Sequence, residues 1–180
     1  MAPEAKTLLI AEGGKTLTLD YAGALAAHAG ESWFGVAVGF RMLQAAGTAL
    51  SRRQIWNREH LRVRSGHPGS GVRDAVEYVT RCVSRGRYRV EGAGGSGCHR
   101  GMRFAWRVET ETATAKVDLR GGFIPETFYV LLDRLGTPAE SAEDRDRFGT
   151  LKRDLAERIW QQPLAELFAV ELLEAEAAHA

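Results

Sequence analysis

From Trp33 to Gly47 the chain reads WFGVAVGFRMLQAAG, a run whose only charge is Arg41. Val36, Phe40, Leu43 and Gly47 fall on one helical face, and Gly35 and Gly39 let another backbone come close. A helix this apolar has to be buried, so the rest of the chain must supply the layers that cover it. Arg41 is the exception within it, because a guanidinium in such a stretch is costly unless it is paired or reaches water. Both a snorkelling Arg41 and a paired, ligand-binding Arg41 are open.

A chain of 180 residues suits one domain around one core. The net charge of +1 supplies no field that would draw the protein to nucleic acid or to a membrane surface. No run approaches the roughly 18 apolar residues of a membrane span. The expectation is a cytoplasmic protein with neither nucleic acid nor membrane as partner. Cys82 and Cys98 are too few for a disulfide framework and lack CxxC spacing, so both read as free thiols.

Around the run at 33–47, alternation about Glu12-Gly13-Gly14 predicts a hairpin. Asp20 is placed to cap a helix that reaches His28 and stops at Gly30. Ile55 to Arg64 has strand period and leads into the loop SGHPGS, Ser65 to Ser70, where His67 is the only titratable side chain. Val72, Val76, Val79 and Val83 line one face of the following helix, with Cys82 at its edge. A buried, inert thiol is the structural reading of that cysteine. RYRVEG, MRFAWRVET and TATAKVDLR predict a three-strand meander, and the glycine-rich connection Gly92 to Gly101 is its flexible hairpin loop. Cys98 and His99 are neighbours that extended backbone points to opposite faces, which argues against their acting as a pair. Pro125 opens a helix stopped by Gly136, Ser141 and Asp144 form a capping box, and Pro163 restarts the chain as a last helix through Leu172. A frayed tail carrying His179 ends the chain.

Three segments carry a family resemblance. Gly35-Val36-Ala37-Val38-Gly39-Phe40-Arg41, Gly71-Val72-Arg73-Asp74-Ala75-Val76-Glu77 and Thr80-Arg81-Cys82-Val83 occur in the order of the FHGHxCPG helix, CxxDAIQ and TGCT motifs. Gly101 to Trp106 and Pro163 to Val170 add a strand and a C-terminal segment. Together, over residues 19–172, they resemble the FmdE-like family, which takes its name from a component of formylmethanofuran dehydrogenase. The resemblance implies an α+β fold: a mixed sheet of about four strands packed with helices, plus C-terminal helices, usually as a homodimer. It divides the chain into an N-terminal extension at 1–18, a core at 19–136 and C-terminal helices at 137–180.

The resemblance also implies a transition-metal or zinc site of Cys and His ligands. Here Trp33, Glu31 and Gly71 stand where family ligands are expected, and Cys82 keeps its place. Two readings follow. In one, His28, Glu31, His67 and Cys82 rebuild a metal or metal-cofactor site. In the other, metal binding is lost and Trp33 lines a pocket for an organic, aromatic cofactor, with Cys82 and Arg41 in its polar wall. An enzyme using Cys82 with His28 or His67 is an alternative, and a non-catalytic, partner-binding subunit is another.

Overall fold

The computed structural model describes residues 5–52, 54–92 and 97–174. Residues 93–96 of the loop expected at Gly92 to Gly101, and the tail with His179, lie outside them.

Gly13 and Gly14, both at positive φ, turn Thr7–Glu12 (β1) back into Lys15–Asp20 (β2), and the two strands pair antiparallel along their whole length. An isolated two-stranded ribbon is marginal in water. This one is docked: Leu8 and Ile10 are buried, the Trp56 indole donates to the Leu9 carbonyl at 2.6 Å, and the Ala11 amide donates to the Trp56 carbonyl at 2.9 Å.

Asp20 caps Tyr21–Ala27 (α1) by accepting from the Gly23 amide at 2.6 Å. The helix ends at His28 in extended conformation, so the expected left-handed exit at Gly30 does not occur. Trp33–Leu50 (α2) follows, and every residue from Val36 to Gly47 is buried. The hairpin, α1 and several of the later helices and strands pack on it.

The strand expected from Ile55 is shorter: a 3-10 turn at Arg58–His60 precedes Arg62–Ser65 (β3). Ser70–Thr80 (α3) then lies against α2 and returns the chain to Tyr88–Val90 (β4). Val72, Val76 and Val79 are fully enclosed, each contributing on the order of 1.5–3 kcal/mol by burial. Arg81 closes α3 in left-handed conformation at φ 58°, which puts Cys82 in the turn beyond the helix.

Ala105–Glu109 (β5) and Ala113–Leu119 (β6) form an antiparallel hairpin. Glu126–Arg134 (α4), Ala142–Arg158 (α5) and the single turn Leu164–Leu167 (α6) complete the helical layer, with the Ser141–Asp144 capping box in place at the start of α5. The chain finishes in Phe168–Glu174 (β7).

The α+β class is as expected, while the sheet differs from the expectation in three ways. It has five strands, in the order β4-β3-β5-β6-β7. β4 pairs parallel with the outer edge of β3, because α3 acts as a crossover, so the predicted meander is not formed. The last helix stops at Leu167, and FAVELLE becomes β7, paired with β6 from Leu119↔Phe168 to Ala113↔Glu174. That segment fits either period, and the open edge of β6 decides between them. One face of the sheet, with Val63, Trp106, Val108, Ala115 and Val117, is buried under the helices. The other faces solvent. Among the described residues no helix is long and apolar enough to cross a membrane.

Candidate functional site at the paired helix starts

Helices α2 and α3 run side by side in the same direction because glycines let their backbones touch. A Cβ at Gly35 would lie 3.1 Å from Gly71 Cα, and one at Gly39 would lie 3.0 Å from Ala75 Cβ. The two N-termini are therefore adjacent, with Ser32 Oγ and Ser70 Oγ 3.4 Å apart. Neither helix has a side-chain N-cap bond or an acidic residue in its first turn. Orphan amides and the positive ends of both helix dipoles thus share one place.

His28 fixes that arrangement. Its Nε2 accepts from the Ser32 amide at 3.1 Å, so the ring proton is on Nδ1, which donates to Asp74 Oδ2 at 2.7 Å. The ring is 3 % exposed, and both its nitrogens are committed.

His67 occupies the β3–α3 loop. Buried Ser65 holds this loop, its Oγ donating to the His67 carbonyl at 2.8 Å while accepting from the His67 amide at 3.0 Å. His67 Nδ1 accepts from the Gly69 amide at 3.0 Å, and the ring lies 4.6 Å from that of Phe104. Burial, reinforced by nearby His99, lowers the imidazole pKa to about 4, so it is neutral at pH 7.

Cys98 comes to the same place from the opposite side. A methyl at Gly69 would touch both side chains, 2.5 Å from His67 Cε1 and 3.0 Å from Cys98 Sγ. Cys98 is exposed as a residue, yet its sulfur is turned inward; desolvation pushes the thiol pKa up, with Lys152 opposing. Lys152 on α5 donates to the Glu31 carbonyl at 3.4 Å, and Trp33, 36 % exposed, stands at the start of α2. Ser32, Trp33, Ser70 and Lys152 thus gather as a shelf at the two helix starts, with buried His67 and the inward-turned Cys98 sulfur behind it. The spacing of the cysteine and histidine, far apart in the chain, carries no signal that would have joined them.

The other predicted residues fall elsewhere. Cys82 lies beyond the C-terminal end of α3, whose 11 residues span roughly 16 Å, so it does not share a pocket with Trp33 at the N-terminal end. Its buried thiol donates to the Leu61 carbonyl at 3.4 Å, and burial raises its pKa. Arg41 is fully buried two turns into α2: it donates to Gln44 Oε1 and the Gln162 carbonyl and lies 5.0 Å over the Trp160 ring. It ties α2 to the chain before α6 and is not part of the shelf wall. Glu31 is exposed and meets Lys152 through its backbone carbonyl.

The metal site implied by the resemblance does not fit these residues. Among the described residues no three His, Cys, Asp or Glu side chains could hold an ion. The seat at position 71 is closed as well, since a Cβ there would collide with the Ser32 carbonyl oxygen and lie 2.8 Å from the Val36 amide nitrogen. No protein-family model and no curated protein matches the chain.

Proposed function

We propose that this chain is a ligand-binding protein on an FmdE-like scaffold, and that a planar organic anion occupies the shelf where the resemblance would put a metal. The observation that carries this reading is the junction of two uncapped helix starts beside the exposed Trp33. Amides and helix dipoles favour a carboxylate, Lys152 adds charge, and the indole offers a face for an aromatic ring. Buried His67 and the Cys98 thiol behind the shelf are both neutral at pH 7 and so add no negative charge that would oppose an anion. Thiolate, not thiol, is the nucleophile, so the raised pKa of both cysteines favours binding over thiol catalysis. The homodimer belongs to the same reading, with Val170 and Leu173 exposed along the edge strand β7 as its support.

Calorimetric titration with benzoate, nicotinate and quinaldate tests the ligand class. The reading expects at least one of them to bind one per chain, and to weaken tenfold or more in Trp33→Ala and in Lys152→Gln. Zinc or cobalt retained at one per chain, with no aromatic carboxylate binding at millimolar concentration, would overturn it. Sedimentation tests the dimer, which a monomer at micromolar concentration excludes.

A further inference from the structure

The solvent face of the main sheet carries a row of cations set by strand register. Arg89 lies opposite Arg64, Arg64 opposite Arg107, and Arg107 opposite Lys116, across β4, β3, β5 and β6. Neighbouring strands are about 4.8 Å apart, so the row is about 15 Å long. Like charges directly opposite each other destabilise a sheet. Carboxylates relieve part of the repulsion: Arg64 pairs with Glu109 at 2.9 Å and Glu91 at 3.4 Å, and Lys116 pairs with Glu171 at 3.0 Å. Arg107 has no ion pair among the described residues, and neither has Arg103 just before β5.

Arg103 and Arg107 meet the two paired cations in a cavity. It has a volume of about 140 Å³ and lies beside Gly66, with Arg64, Arg103, Arg107 and Lys116 on its walls against two carboxylates, Glu91 and Asp118. The volume is well below the roughly 300 Å³ at which whole-ligand pockets begin, so it suits a compact, highly charged group. Three of the four cations are guanidinium forks, which match phosphate oxygens in pairs. Trp106 borders the cavity, but its side chain is buried on the opposite face of the sheet. That disfavours single-stranded nucleic acid, whose bases need exposed stacking platforms.

We propose that this cavity binds the diphosphate group of a small molecule, with Arg103 and Arg107 as its principal contacts. The site is separate from the shelf at the helix starts, and its test is independent of it. Pyrophosphate is titrated calorimetrically into the full chain at low ionic strength, with sulfate at matched ionic strength as the comparison. Binding of one pyrophosphate per chain is expected, at least tenfold tighter than sulfate and weakening as salt rises. Arg103→Gln and Arg107→Gln are each expected to weaken it about tenfold, with Arg107→Lys intermediate and Lys15→Gln on the distant hairpin unchanged. Arg103 and Arg107 are exposed, so circular dichroism is expected to show all variants folded. Absence of binding at 5 mM pyrophosphate overturns the proposal, as does equal affinity for sulfate or unchanged affinity in both glutamine variants. An oligothymidylate that binds more tightly than pyrophosphate and is weakened by the same variants also overturns it, in favour of nucleic acid.

Discussion

His28 Nδ1 lies 2.7 Å from Asp74 Oδ2, a contact that joins the end of α1 to α3 while the same ring holds the start of α2 through the Ser32 amide. Asp74→Ala leaves the buried Nδ1 proton without an acceptor and is expected to cost about 2 kcal/mol. Asp74→Asn keeps a carbonyl in reach and is expected to cost less than about 1 kcal/mol. Urea unfolding of both variants measures the difference. Equal losses would show that the charge, not the acceptor, holds the three helices.

Gly71→Cys introduces the residue type that the family resemblance implies at that position. It also drives a side chain into the backbone of Ser32 and Val36, at an expected cost of about 3 kcal/mol. Gly121→Ala, where an added Cβ meets nothing within 4 Å, serves as the near-neutral comparison. Thermal unfolding with and without zinc is the measurement, and a stable, zinc-binding Gly71→Cys protein would refute the closed seat.

Much of this architecture was legible because single segments carried strong patterns. The apolar run of α2 announced the central helix, and Gly35 and Gly39 announced the backbone contact that α3 makes. Where a segment fits two periods the decision lies elsewhere in the fold, as when the free edge of β6 turns Phe168–Glu174 into a strand. The side of β3 on which β4 sits was hidden for a related reason, since it depends on how α3 carries the chain across. At the shelf, His28 at a helix end and His67 in a strand–helix loop were visible from their neighbours. Asp74 as the partner of His28, and Cys98 as the neighbour of His67, depend on tertiary approach alone.

Acid should destabilise the protein through His67. Its imidazole titrates at about 4 in the fold against an ordinary value of 6.5, so between those values the unfolded chain binds the extra proton. The contribution is complete above about pH 6.5 and is lost as the pH falls to about 4, up to about 3 kcal/mol in all. Urea midpoints at pH 7, 5.5 and 4.5 are expected to fall for the native chain and to fall less for His67→Gln. Identical slopes would place the acid sensitivity in other groups.

The two thiols should separate cleanly under alkylation. Cys98 is exposed and Cys82 is 1 % exposed. Iodoacetamide is expected to label one thiol per native chain and two in denaturant, with native labelling slower than a model thiol at pH 7.5 because the Cys98 pKa is raised. Peptide mapping that finds Cys82 modified in the folded protein would contradict its burial.

The contact between Gly35 and Gly71 limits what single substitutions can change in this fold. Any side chain at position 71 meets the backbone of Ser32 and Val36, and opening the gap requires both helices to move with the His28–Asp74 tie. New side-chain chemistry is therefore admitted on the rim and outer faces of the domain more readily than at this helix junction.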